Sequence, residues 1–303
     1  MAGGAGAVKW GSVLPVVIVN GRRRSPVRAH VSALDRGFTL ADGAFETMRA
    51  YGGRAFRLDV HLARLASTAD ALGIPFPADA RSRVVAAAAA AAALGASDAA
   101  VRLTLTRGAG GGGVAPPPPH SPPTVVIVAG ALPGFAPEIY ACGISAHVAA
   151  SRRNEYAATS GMKTLAYTES VVALAAARRG GADDAIFLDT AGHCSEAASS
   201  NVFAWTGSEL LTPPLSCGVL PGITRAVVIE LAHARGIAFA ERAFDMEELT
   251  GAREAFLTSS LREIAPLRSV GGLPIGTGAP GTVTRLLSDA YRALVRAECG
   301  AES

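Results

Sequence analysis

The chain has 303 residues, half of them hydrophobic and 17% charged, with a formal net charge of +3. That length holds two domains or one large one with a substantial core, and the composition fits a well-packed globular enzyme rather than a disordered chain. The charge is too small for a nucleic-acid surface, and no basic cluster is interleaved with aromatics. Cys142, Cys194, Cys217 and Cys299 form no CxxC pair and no disulfide-like framework, which fits a reducing, cytoplasmic setting, and no metal site is expected. The N-terminus does not read as a secretory signal, and the alanine-rich run Val84 to Leu94 is too short to span a bilayer, so no membrane partner is expected.

Residues 1–12 read as a loose leader. Leu14–Val19 is strand-like and ends at Asn20-Gly21, a strong hairpin signal, after which Arg22-Arg23-Arg24 reads as a solvated strand end. Phe45–Ala50 and Arg54–Leu58 flank a second hairpin candidate at Tyr51-Gly52-Gly53. Asp59 is the expected cap of a helix running to Leu72, where Gly73 and Pro75 stop it. On that helix His61, Leu62, Leu65, Ala69 and Leu72 share a face, with Arg64 near its edge. A helix over Arg81–Leu94 and a strand over Ala100–Arg107 follow. The Gly/Pro-rich stretch 108–123 has nothing to build a core from.

After a strand at Thr124–Ala129, the turn-rich segment 132–137 reads as a linker. It separates a small N-terminal α/β domain (13–131) from a larger C-terminal domain (138–303). There Gly143–Ala150 reads as a strand and Thr164–Arg179 as a helix. Ala185–Leu188 and Asn201–Trp205 are strands, with Glu196 in the turn region between them. Pro221–Arg235 is a helix with Pro near its first turn and Gly236 past its end. Glu254–Leu257 leads into the hydroxyl cluster Thr258-Ser259-Ser260, and a last helix runs from Gly281 to Glu298. The class is α/β or α+β.

Of the 28 basic residues only Lys9 and Lys163 are lysines. Arginine supplies charge and a donor fork, but it cannot replace lysine where a primary amine must attack a carbonyl. Lys9 lies in the leader; Lys163 lies mid-chain in Ser160-Gly161-Met162-Lys163-Thr164. Gly222-Ile223-Thr224-Arg225 opens a helix, whose first N–H groups lack internal partners and suit an anion. A buried Glu196 would need a cationic partner, which a protonated pyridine nitrogen would supply.

An amine, an anion-binding helix start, an arginine and a carboxylate in this order resemble the class IV aminotransferases, the fold-type IV pyridoxal phosphate (PLP) enzymes, from about Leu14 to Ala297. The resemblance implies a small and a larger domain with PLP between them, in a homodimer. It implies that Lys163 is the Schiff-base lysine, that Glu196 binds the ring nitrogen and that Leu220 packs on the ring. Arg64, Ile223, Thr224 and Ser260 are implied as phosphate contacts. Arg107 and Phe45 are the expected substrate contacts, Arg107 because it ends a strand and opens the Gly-rich loop, with Arg36 or Arg28 as substitutes.

Two reactions stay open: transfer of an amino group from an amino acid to a 2-oxo acid, and release of pyruvate and p-aminobenzoate from aminodeoxychorismate. The stretch Thr106 to Gly113 and Ala197 after Glu196 are similar to the lyases. Thr168, where branched-chain enzymes carry Tyr, and Arg107-Gly108-Ala109, which lacks the His of an Arg-x-His pair, speak against two aminotransferase subgroups. Leu220 to Arg225 is at home in aminotransferases, which the reading favours over the lyase. A PLP-fold module that only binds is a third class, and an intact Lys163 argues against it.

Overall fold

In the computed structural model, which describes residues 14–110, 113–116 and 122–300, left-handed backbone at Asn20 and Gly21 (φ 47° and 76°) turns β1 (Val16–Val19) into β2 (Arg22–Arg24). α1 (Arg36–Leu40) is capped by Asp35, whose carboxylate accepts the Gly37 N–H at 2.8 Å. Then come β3 (Gly43–Tyr51), β4 (Arg54–Ala55), α2 (Leu58–Ala71), α3 (Ala80–Ala93), β5 (Asp98–Thr106) and β6 (Thr124–Ala131). The strands form one antiparallel sheet in the order β2-β1-β6-β5-β3-β4. α3 buries Val84, Ala87, Ala88 and Ala91 in the core shared with the sheet; side chains this short let a helix backbone lie close to its neighbours. α2 is capped not by Asp59 but by Arg57, in left-handed backbone (φ 52°). Asp59 lies in the first turn, where it pairs with Arg81 of α3.

The second half opens with α4 (Glu138–Cys142), β7 (Ile144–Arg152), α5 (Thr168–Arg179), β8 (Asp184–Leu188), β9 (Cys194–Ala197), β10 (Asn201–Trp205) and β11 (Leu210–Thr212). It continues through α6 (Ile223–Ala234), β12 (Phe239–Glu241), α7 (Met246–Gly251), β13 (Glu254–Ser259), β14 (Glu263–Val270), β15 (Leu273–Pro274) and α8 (Thr282–Cys299). Nine strands run β12-β11-β10-β13-β14-β7-β8-β9, with β15 on β14. β7 and β8 are parallel, joined by the α5 crossover, as parallel neighbours require. β9 also meets β10 through Glu196 and Asn201, so the strand path returns on itself. Ile186, Val202, Leu211, Leu257 and Leu267 lie in the core of this sheet.

The chain divides into two units. One holds the chain through Gly134, together with Lys163–Ala166 and the residues from Val295; the other holds Phe135–Met162 and Tyr167–Leu294. The helix expected from Thr164 therefore begins only at Thr168. Thr164 instead bridges Ala44, and the Leu165 N–H donates to the Gly43 carbonyl at 3.0 Å. Strand-like pairing takes the backbone groups that a first helical turn would need.

Candidate active site

In the first unit the alternation of β3 puts Ala44, Glu46, Met48 and Ala50 on one face, all with 0% exposure. A carboxylate in that stripe requires partners, and α2 supplies two. His61 Nδ1 stands 2.7 Å from Glu46 Oε2; Arg64, three residues on and so on the same helix face, sets Nε 2.6 Å from Oε1 and Nη2 2.8 Å from Oε2. Burial alone raises the Glu46 carboxyl, but the hydrogen bonds from His61 and Arg64 outweigh it and bring it down to about 2. Burial pushes His61 down; Glu46 pulls it up, and the charges of Arg64 and Lys163 push it down again. An ionised carboxylate only accepts, so the neutral imidazole carries its proton on Nδ1 and donates it to Glu46.

Phe45 points to the opposite face of the same strand. The Phe45 N–H donates to the Lys163 carbonyl at 3.1 Å, pinning the lysine backbone to the start of β3. Lys163 Nζ lies 4.5 Å from the centre of the Phe45 ring, and the Arg102 guanidinium carbon lies 3.7 Å from the same centre. Gly43 makes this approach possible: a Cβ there would fall 2.4 Å from the Leu105 carbonyl oxygen and 2.8 Å from Leu165 Cδ1.

Arg107 was expected to reach a substrate. Its fork is instead bound to Asp42 (2.7 and 3.1 Å) and to the carbonyls of Leu72 (2.6 Å) and Gly73 (3.0 Å) past the end of α2. Arg36 donates its Nε–H to Asp42 Oδ2, the oxygen Arg107 Nε also uses, at 2.8 Å and reaches the loop carbonyls of Gly113 and Val114, each at 3.0 Å. Burial raises the Asp42 carboxyl, but Arg107 and Arg36 bring it below its ordinary range. These two arginines brace the Gly-rich stretch where it leaves β5. The cation that shares a ring with Lys163 is Arg102, which the sequence reading passed over.

In the second unit Glu196 lies within β9 rather than in a turn. Its Oε2 accepts the Leu220 N–H at 3.0 Å, and its Oε1 stands 3.5 Å from Arg153 Nη2. Asn201, paired with Glu196 across β9 and β10, donates Nδ2–H to the Leu220 carbonyl at 2.9 Å. The backbone of Leu220 is thus clamped on both its polar atoms. Gly222 is the N-cap of α6, and a Cβ there would fall 1.9 Å from Asn201 Oδ1. Among the described residues no side chain caps this helix, whose first turn carries the buried Ile223 and Thr224. Thr258 of β13 is the register partner of Asn201, so both side chains share a sheet face. Its Oγ1 is buried with no hydrogen-bond partner among the described residues. Ser260 lies in the turn after β13.

An uncapped helix start beside a buried, unpartnered hydroxyl fits an anionic group such as a phosphate. The Glu196 carboxylate of the second unit and the Lys163 amine of the first, each taken by itself, are groups whose chemistry fits PLP.

The family description "Amino-transferase class IV" matches residues 43–270. A putative branched-chain-amino-acid aminotransferase of Methanocaldococcus jannaschii is 32% identical over 277 residues, 91% of this chain and 95% of that protein. The crystal structure of the Escherichia coli branched-chain amino acid aminotransferase superposes with a TM-score of 0.87 at 29% identity, over 95% of this chain and 96% of that one. The structure of 4-amino-4-deoxychorismate lyase from Pseudomonas aeruginosa superposes with a TM-score of 0.82 at 30% identity, over 92% and 98%. With the match running from the glycine that opens β3 to the last residue of β14, the chain belongs to the class IV aminotransferases, a PLP-dependent family with the mixed α/β fold type IV.

Proposed function

We propose that this protein is a PLP-dependent aminotransferase that moves an amino group between an amino acid and a 2-oxo acid, as a cytoplasmic homodimer. The observation that carries the reading is Lys163: its backbone is fixed to β3, and its amine shares the Phe45 ring with Arg102. When bound, PLP supplies a carbonyl that condenses with amines and a protonated ring that accepts electrons. The Lys163 amine would hold the cofactor and would take the proton at the substrate α-carbon. Glu196 would hold a proton at the ring nitrogen, and Leu220 would lie against the ring. Ile223, Thr224, Thr258 and Ser260 would hold the phosphate, and Arg64, whose fork Glu46 fixes, would add a cation to it. Arg102 grips the substrate carboxylate through its planar fork, in the role first expected of Arg107.

The purified protein is expected to be yellow, and borohydride to fix the cofactor to the peptide carrying Lys163. Lys163→Arg keeps the charge, yet is expected to lose both the fixation and turnover, because a guanidinium is not a primary amine. Fixation at Lys9 or none at all would overturn the assignment. The similarity to the P. aeruginosa lyase keeps one second reading. Incubation with aminodeoxychorismate, and separately with amino acids plus 2-oxoglutarate or pyruvate, separates the two: p-aminobenzoate marks a lyase, a new 2-oxo acid an aminotransferase. Dimerisation is supported by the apolar side chains Val27, Val31, Leu34, Phe38 and Leu40, all exposed on the single chain. The cytoplasmic setting is supported by four cysteines that are all free.

A further inference from the structure

Three side chains that take no part in the proposed reaction converge at the turn between β8 and β9. Asp189 builds that turn: its N–H donates to the His193 carbonyl and its Oδ1 accepts the His193 N–H, both at 2.8 Å. Its Oδ2 stands 3.2 Å from His193 Nδ1. Cys217, far along the chain, brings its thiol to the same carboxylate. One ligand atom from each of Asp189, His193 and Cys217 lies within 4.8 Å of the others. The Cys217 backbone is itself held, since Ser195 Oγ donates to its carbonyl at 2.7 Å. Asp189 and Cys217 are buried while His193 is half-buried, which leaves one side for an ion and a water to enter.

We propose that Asp189, His193 and Cys217 form a binding site for one zinc-class divalent ion, with its fourth position open to water. The donor set decides the class. Thiolate with imidazole selects zinc and its neighbours, whereas magnesium and calcium take oxygen ligands. Tetrahedral zinc sets its ligand atoms roughly 3.3–3.6 Å apart. The Asp189–His193 pair, at 3.2 Å, lies just short of that spacing, and the other distances need a closure of no more than about 1.5 Å. As the zinc–sulfur bond forms, the Cys217 proton leaves to solvent, and His193 coordinates as the neutral imidazole. The spacing along the chain (four residues, then twenty-four) matches no familiar zinc motif, so only the fold reveals the site. Cys217 lies three residues before Leu220, so a bound ion ties the β8–β9 turn to the segment that meets Glu196.

The test is a calorimetric titration of zinc ion into the chelator-treated, dialysed holoenzyme, repeated with cobalt(II). One ion per chain is expected, with about one proton released for each and a thiolate-to-cobalt charge-transfer band. Cys217→Ser is expected to abolish that band. Cys217→Ser and His193→Asn are each expected to weaken zinc by at least the 10–100-fold that loss of even an outer partner brings. His193 lies half-exposed in a turn, so its variant keeps the fold. Zinc is expected to raise the Tm of the wild type and not that of Cys217→Ser. Absence of stoichiometric binding, a bound cobalt without the band, or unchanged affinity in the His193 variant would overturn the site.

Discussion

At Glu46 a fully buried carboxylate stands in a strand stripe otherwise made of alanine and methionine, so its charge depends on His61 and Arg64. Glu46→Gln leaves Arg64 facing a neutral amide in a buried position. It is expected to lower the unfolding free energy by about 3–5 kcal/mol, read from urea titrations. The pH dependence follows from two depressed values. The Glu46 contribution is complete above 4.5, its ordinary value, and is lost as pH falls towards about 2. His61 is also depressed, so the unfolded chain takes up a proton near 6.5 before the folded one does, and stability begins to fall below that point. The wild type should therefore lose stability across the whole acid range, and Glu46→Gln should lack the lower part of the slope. An unchanged slope would mean that Glu46 is not ionised in the fold. At Arg102, alanine is expected to leave PLP bound while lowering kcat/KM by about 1.5–3 kcal/mol in transition-state terms, the scale of a charge-assisted hydrogen bond. Equal kcat/KM would place the carboxylate elsewhere. The residue scale also shows what a sequence can carry. Lys163 stands out because lysine is rare in this chain. Arg102 is one arginine among many on an alternating strand, and only the fold brings Phe45 and Lys163 to it. Arg107 looks functional from its place before the Gly-rich stretch, but its partner Asp42 is 65 residues away and invisible to local pattern.

The start of α6 is the element whose sequence said most. Pro221 and Gly222 before an apolar run mark a helix entry, and Gly222 is required because Asn201 leaves no room for a Cβ. β9 gave no such signal, because its Cys-Ser-Glu-Ala has neither a β-branched nor an aromatic residue. Its strand character comes from its neighbours β8 and β10. α5 begins later than its sequence pattern suggests for a related reason: Thr164 and Leu165 are drawn to Ala44 and Gly43, a tertiary pairing that helix propensity does not anticipate. Thr258 of β13 allows fold and cofactor to be separated. A buried hydroxyl without a partner costs about 1–3 kcal/mol, so Thr258→Val, of similar volume, should leave the cofactor-free protein at least as stable as the wild type. If the hydroxyl serves the phosphate, the variant should nonetheless release PLP faster, followed by the loss of its visible absorption on dilution. A less stable cofactor-free variant would show that the hydroxyl has a partner within the fold, and unchanged release would remove it from the phosphate.

At the scale of the whole molecule, the hairpins β1–β2 and β3–β4 were legible because each closes over Asn-Gly or Gly-Gly turns with positive φ. The pairing of β14 with β7, and the return of β9 to β10, join segments whose register no local pattern specifies. The same limit hides where a second copy would dock in the proposed dimer; the single chain leaves apolar side chains at and around α1 uncovered. Leu34 is 73% exposed and Phe38 78% exposed, on either side of the Asp35 cap of α1. Neither supports the core of its own chain, so Phe38→Ser should change monomer stability by no more than about 0.5 kcal/mol. In a contact between two copies, the same change removes a buried aromatic ring from each side and is expected to cost about 3 kcal/mol or more per dimer. Sedimentation equilibrium over a dilution series should then show two chains for the wild type and a shift toward one for Phe38→Ser. A wild-type mass of one chain throughout would refute the dimer. Two chains in both proteins, with unchanged affinity, would move its interface away from α1.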